Sequence, residues 1–448
     1  MFLQVLPGAR VYPVSTWSTF PDSGGIIVND KNPNPLSADN VFFTFNLGGM
    51  LDLVSAKKLI ENTAKYLFTV EPPPTGAIAG TAQLNGAPNN EGVTLKLFSL
   101  PSGNLLNTYV TDSTGNYLFS GLYQGTYRVE ATPPSGFYPY VVVRDTIVGT
   151  DTVYNVDFVF INENIPQTVN FGTLAGWNLL SVPLNLEDMS KGNLFPMAAS
   201  SAFTFSENLG YIKHDTLIHG KGYWIKFNED TTHSFTAPPT YVLQIPVMRG
   251  WTLIGASHAY IPVGNVTTNP SGILVSPFFE YNGGYTQAAG LSKGKGYWVK
   301  AKQNGTVILQ STYPKTLSKD IVVENIDASW PTIIITDAKG NKSRLYLTVS
   351  DKITSSFELP PIPPNGAFDV RFDDNKYVND LASGNYIIKL NSVDYPISIR
   401  LENFTDEQYL LSDGLDGKIY EEFIANGEER IINNPMLSAI TLQKVVIP

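Results

Sequence analysis

Along most of this chain apolar and polar residues alternate with a period of two, and Gly, Asp, Asn and Pro interrupt the alternation every few positions. The runs Ala77–Ala82, Gly92–Phe98, Asn107–Phe119 and Leu122–Val129 read as half-buried strands separated by Asp/Gly/Asn turns, the grammar of a β-sandwich. One stretch departs from it. Over 53–68, Ala56, Leu59, Ile60, Thr63 and Leu67 recur at helical spacing, while Lys57, Lys58, Glu61 and Lys65 fall on the other side. With the short apolar runs Gly25–Val28 and Val41–Phe45 this predicts a small α/β segment over 1–70. The first residues, Phe2–Leu6, look like a strand entered in mid-domain, so the chain is expected to be a piece of a longer protein. Glu71-Pro72-Pro73-Pro74-Thr75-Gly76 is a stiff linker, after which the period changes to two. The fold class expected is mainly β, a string of β-sandwich-like domains over 75–162, 165–312 and 316–448 behind that α/β segment.

The middle of the chain is duplicated. Gly176-Trp177-Asn178-Leu179-Leu180 returns as Gly250-Trp251-Thr252-Leu253-Ile254, and Gly220-Lys221-Gly222-Tyr223-Trp224-Ile225-Lys226 as Gly294-Lys295-Gly296-Tyr297-Trp298-Val299-Lys300, each 74 positions on. Phe205, Asn208, Gly210 and Tyr211 fall on Phe279, Asn282, Gly284 and Tyr285 at the same offset of 74. The repeats span about 169–242 and 243–314. Four of the six tryptophans lie at matched positions in them, and no acid, histidine or hydroxyl nucleophile repeats in a catalytic arrangement. A duplication that keeps only aromatic, glycine and aliphatic positions repeats a packing solution.

Strand alternation places Tyr223, Ile225 and Phe227 on one face and Trp224 with Lys226 on the other; the second copy repeats this with Tyr297, Val299 and Ala301 against Trp298 and Lys300. The first face reads as core. The Trp/Lys face is half-polar, and either covers the sister copy or stays open. An open tryptophan beside polar groups is a sugar platform, which makes Trp224, Lys226, Trp298, Lys300, Tyr211 and Tyr285 the candidate ligand-binding residues. The competing expectation is that the tryptophans anchor a small β core, since large aromatics dominate core burial.

Composition narrows the function classes. The net charge is −10 with few charged residues (16%) and no Lys/Arg run, which disfavours a nucleic-acid surface. No apolar run of the length a membrane helix needs is present. Without cysteine there is neither thiol chemistry nor a disulfide. All four histidines, His214, His219, His233 and His258, lie in the duplicated region, and none maps onto a histidine of the other copy. Their spacing offers no third fixed ligand for zinc. Calcium is the one cofactor considered, at Ser412-Asp413-Gly414-Leu415-Asp416-Gly417, which has fewer oxygen ligands than a calcium loop wants. The acid pairs Asp373-Asp374, Glu421-Glu422 and Glu428-Glu429 put adjacent side chains on opposite strand faces, a poor acid/base couple. No nucleophile elbow, H-E-x-x-H or phosphate loop appears. No catalytic residue is assigned.

Four stretches resemble known families. The run from Phe42 to Phe68 resembles the closing strand and helix of a glutamine-amidotransferase-like or peptidase-associated α/β domain. The segment 77–160, with its TDSTGNYLF and GTYRV motifs, resembles the carboxypeptidase regulatory-like (transthyretin-like, Cna-B-type) domain. That resemblance implies a spacer or stalk, and in some adhesins an internal Lys–Asn bond, for which Lys96 with Asn155 or Asp157 is the candidate; the competing expectation is a Lys96 that faces solvent. The GWNLLSVP and GKGYWIK motifs resemble a β repeat of bacterial proteins exported by type IX secretion, and ELPPIPPNGAFDVRF resembles the domain that precedes the sorting tail of such proteins. Together these imply a non-catalytic extracellular or outer cell-surface region that spaces, displays or adheres. Its expected partners are other copies of itself, joined through exposed strand edges into a fibre, or extracellular polymers including glycans. Two alternatives are an accessory region of a secreted hydrolase whose catalytic domain lies upstream, and a carbohydrate-binding module.

Overall fold

The structure, a computed structural model, describes residues 11–17, 20–29, 40–43, 53–67, 74–311, 326–349, 357–405, 408–414 and 419–445. Phe2–Leu6, expected as a strand, and Leu415–Gly417 of the calcium candidate lie outside the described residues. The chain divides into two compact units, Met1–Asn162 and Glu163–Pro448.

In the first unit three antiparallel strands, Val11–Trp17, Phe20–Asn29 and Asn40–Phe43, precede the helix Leu53–Leu67. The period-two segment folds as expected into a sandwich. One sheet orders Val142–Val148, Gly125–Thr132, Thr94–Leu100 and Asn104–Val110. The facing sheet is built on Gly76–Asn85, which pairs in parallel with Phe158–Asn162 and antiparallel with Asn116–Leu122. Alternate residues such as Leu95, Leu97, Val129, Phe119, Phe158 and Phe160 fill the space between them. The TDSTGN motif is the turn that joins the sheets: the Asp112 carboxylate accepts from the Thr114 N–H and hydroxyl, at 2.9 and 2.6 Å.

In the second unit each repeat forms the same four-stranded sheet. The first orders Gly176–Ser181, Gly222–Phe227, Ala202–Ser206 and Gly210–His214; the second orders Gly250–Gly255, Gly296–Ala301, Phe279–Tyr281 and Tyr285–Gln287. The expected core face holds. Tyr223, Ile225 and Phe227 lie in one repeat's private core, and Tyr297, Val299 and Ala301 in the other's.

The copies meet about a pseudo-twofold axis. Leu180 bridges Lys295 as Ile254 bridges Lys221, and the Ser181 N–H donates to the Gly294 carbonyl (2.9 Å) as Gly255 does to Gly220 (2.8 Å). This approach explains the glycines of the GKGYW motif. A Cβ on Gly222 would lie 2.7 Å from the Ile254 carbonyl oxygen, and one on Gly296 2.9 Å from that of Leu180.

Residues 326–445 form a sandwich of two five-stranded sheets, closed around residues such as Ile333, Leu345, Ile388, Leu411 and Leu442. Sequence reading treats 165–312 and 316–448 as separate domains. In the structure the two share one apolar cluster, which runs from Leu179, Trp224, Trp251 and Trp298 of the repeats into this sandwich.

Candidate interaction face of the duplicated module

The face opposite the private cores is where the repeats carry their tryptophans, and three things cover it. Each copy's central tryptophan packs against the other copy's aromatic hairpin: Trp224 lies 4.7 Å from the Tyr281 ring, and Trp298 5.2 Å from Phe205. Each also meets its own copy's first tryptophan edge-on, Trp177 to Trp224 at 6.4 Å and Trp251 to Trp298 at 6.2 Å. The third cover is the proline-rich run Glu358–Asn365 of the C-terminal sandwich.

That run crosses the pseudo-twofold axis. The matched tyrosines donate to adjacent carbonyls, Tyr285 Oη to Pro361 and Tyr211 Oη to Ile362, both at 2.9 Å. The matched tryptophans hold its ends: Trp251 Nε1 donates to the Glu358 carboxylate at 3.3 Å, and Trp177 Nε1 to the Asn365 carbonyl at 3.1 Å. Both pairs are centred on the Pro361–Ile362 bond. Proline has no N–H and cannot enter a strand ladder, so the carbonyls of such a run need donors from elsewhere. Two tyrosines, a tryptophan and Arg371, whose Nη1 donates to the Pro360 carbonyl at 2.8 Å, supply them.

Charge is matched locally. The Lys300 ammonium lies 2.5 Å from the Glu358 carboxylate and 5.8 Å from the Trp251 ring centroid. Beneath the run, Arg371 and Asp369 form a fully buried two-point pair at 2.8 and 2.7 Å. Burial drives the phenols of Tyr211, Tyr281 and Tyr285 well above the ordinary tyrosine range, so they are neutral donors at physiological pH.

The expected sugar platform is therefore closed. Trp224 and Trp298 are both 0% exposed, because the sister hairpin and the C-terminal sandwich occupy the space above their rings. Tyr211 and Tyr285 spend their hydroxyls on the proline-rich run, and Lys300 is held by Glu358. Only Lys226 of the six candidates is exposed. Sequence reading missed Trp177, Trp251, Glu358 and Arg371 as members of this face. The 74-residue offset shared by both tryptophans was the available signal for two of them.

The isopeptide candidate is corrected by the sheet geometry. Lys96 alternates with the buried Leu95 and Leu97 and so points out of its sheet. Asp157 lies just before the strand Phe158–Asn162 of the facing sheet, where it accepts from the Thr81 N–H at 2.7 Å and hydroxyl at 3.0 Å, and Asn155 is exposed with a left-handed φ of 62°. Lys96 faces neither.

The histidines are placed apart in role. His233 is buried among Phe171, Phe195, Phe227 and Phe235 and bonds the Thr173 hydroxyl at 3.0 Å; His219 Nδ1 lies 2.9 Å from the Val182 carbonyl. Burial lowers the pKa of all four. Among the described residues no three His, Asp or Glu side chains converge as a metal would need. Asp413 of the calcium candidate is buried and receives the Ile419 and Tyr420 N–H groups. Among the described residues no helix is long and apolar enough to cross a membrane.

Comparison with known proteins bears on the first sandwich. Residues 80–169 match the model of the SdrD B-like domain family. Over 61 residues the chain is 44% identical to the serine-aspartate repeat-containing protein D of Staphylococcus aureus (strain Newman), which covers 14% of this chain and 5% of that protein. Among solved structures, a streptococcal ancillary pilin covers 41% of this chain and 55% of its own at 13% identity and a TM-score of 0.17. BcpA, the major pilin subunit of Bacillus cereus, covers 81% and 96% at 10% identity and a TM-score of 0.19. At such scores these two likenesses carry no argument. The matched stretch is a small fraction of the curated relative, and the family match covers most of the first sandwich and runs on to residue 169.

Proposed function

We propose that this chain is a non-catalytic extracellular or cell-surface region, built of β domains, that spaces, displays and adheres, and that it associates with other copies of itself. One observation carries this reading: residues 80–169, which hold most of the first sandwich, match the SdrD B-like domain family, and 61 residues are 44% identical to the serine-aspartate repeat-containing protein D of Staphylococcus aureus. The second unit is consistent with it. Its most elaborate set of side chains, the aromatic face, holds two parts of the chain together.

Electron microscopy and sedimentation of the purified chain over a wide concentration range test the assembly part. Ordered oligomers or fibres are expected, and dispersed monomers throughout would remove self-association from the reading. Attachment of the labelled chain to cell-surface extracts, against a heat-unfolded control, tests adhesion; no attachment above that control would remove it.

A further inference from the structure

The sugar platform expected at Trp224 and Trp298 is closed, but an open cavity of about 290 Å³ lies beside it, between the second repeat and the C-terminal sandwich. The hairpin Phe279–Gln287 forms one wall and the strand Lys342–Thr348 another, with Asp369 and Tyr377 behind. Hydrogen bonds tie these walls together. The Lys342 N–H donates to the Gly283 carbonyl at 3.0 Å, Gln287 Nε2 to the Tyr377 hydroxyl at 2.7 Å, and the Ser343 hydroxyl to the Val370 carbonyl at 3.0 Å. The rings of Phe279 and Tyr346 each meet Tyr377 edge-on, at 5.9 and 6.4 Å.

The charge in this cavity runs against that of the chain. The protein carries −10, yet Arg344 and Lys342 on the cavity wall enter no ion pair among the described residues. Among the described residues the one acid lining the cavity, Asp369, is already neutralised by Arg371 at 2.7 Å. A guanidinium left with its donors unpaired beside an ammonium selects a carboxylate, which the guanidinium grips at two points. Beside apolar side chains such as Phe279 and Leu359, the lining sets the half-buried Tyr346 ring with the hydroxyl and amide side chains of Thr286, Ser343 and Gln287. That combination of an aromatic surface and several hydrogen-bonding groups suits a ring that is apolar on its faces and hydroxylated at its edges. The volume is at the small end of ligand sites, sized for one such unit.

We propose that this cavity binds a uronic-acid unit of an acidic polysaccharide, its carboxylate on Arg344 and Lys342 and its ring against Tyr346. The proposal rests on the adhesive reading above and names what is adhered to.

Calorimetric titration of the full chain with trigalacturonate tests it. A neutral galactose trisaccharide and a blocked tripeptide with a free carboxylate serve as the other ligands. Trigalacturonate is expected to bind, with affinity lost about tenfold or more in Arg344→Ala and in Lys342→Ala, as expected for removing a charge-assisted hydrogen bond. Arg400→Ala, an exposed arginine on the next strand but one of the same sheet, is expected to bind as the parent does. Tighter binding of the acidic than of the neutral sugar is also expected. No binding of trigalacturonate, or binding indifferent to Arg344→Ala and Lys342→Ala, would overturn the site. Equal binding of the tripeptide would overturn the saccharide assignment. Attachment to cell-surface extracts that persists in Arg344→Ala would leave adhesion standing while removing this cavity from it.

Discussion

At the scale of single residues the chain shows how one side-chain type is used twice. Tyr211 and Tyr285 are copies of one another and donate to adjacent carbonyls, but their acceptors differ in exposure: Pro361 is half-buried, whereas Ile362 is exposed. Replacing a donor leaves a carbonyl unpaired, at a cost that grows with its burial. Tyr285→Phe is therefore expected to destabilise the second unit by about 1–3 kcal/mol, and Tyr211→Phe by less. Urea unfolding midpoints of the two variants check the order, and a larger loss for Tyr211→Phe would contradict it. The solvent-facing reading of Lys96 was legible in the strand itself. Leu95 and Leu97 take the inward positions, so the lysine between them points outward.

At the scale of elements the repeat was plain in the sequence, because a fixed offset of 74 needs no structural knowledge to detect. Alternation along Gly222–Phe227 also separated the two faces correctly, since a strand leaves its side chains no other choice. What covers the tryptophan face was not legible. Its cover comes from the sister hairpin, around Tyr281 for Trp224, and from a proline run more than a hundred positions beyond Trp224. Local patterning carries no information on such distant partners. The proline run was recognisable as extended, but its missing N–H groups do not say which donors will serve its carbonyls. The glycines between the copies give a sharper test. Gly222→Ala is expected to cost about 1–3 kcal/mol, because a Cβ would press on the Ile254 backbone, and Gly296→Ala is expected to follow it. Gly192, with nothing within 4 Å of an added Cβ, is the control, expected to stay within about 0.5 kcal/mol of the parent. Thermal melts of the three variants decide; three equal shifts would count against the close approach of the copies.

At the scale of the whole molecule, the second unit is bounded on both sides of neutrality. Its four histidines have pKa values lowered from 6.5 by burial, so the unfolded chain binds more protons below that point and stability falls as pH drops under about 6.5. Its buried tyrosines have pKa values raised from 10.0. There the folded chain holds protons the unfolded chain releases, and stability falls as pH climbs above about 10. A stability profile against pH should be flat between those limits, and a maximum at either edge would contradict the assignment.

The central claim is that the duplicated module and the C-terminal sandwich are one structural unit, closed by the aromatic face on the proline-rich run. Fluorine NMR of the chain labelled with fluorotryptophan, followed through a urea titration, tests it residue by residue. Trp177, Trp224, Trp251 and Trp298 report on the module and Trp330 on the sandwich. The account predicts that all five resonances leave their native positions at one shared urea concentration. Loss of the native Trp330 signal at lower urea, with Trp224 and Trp298 unmoved, would contradict it.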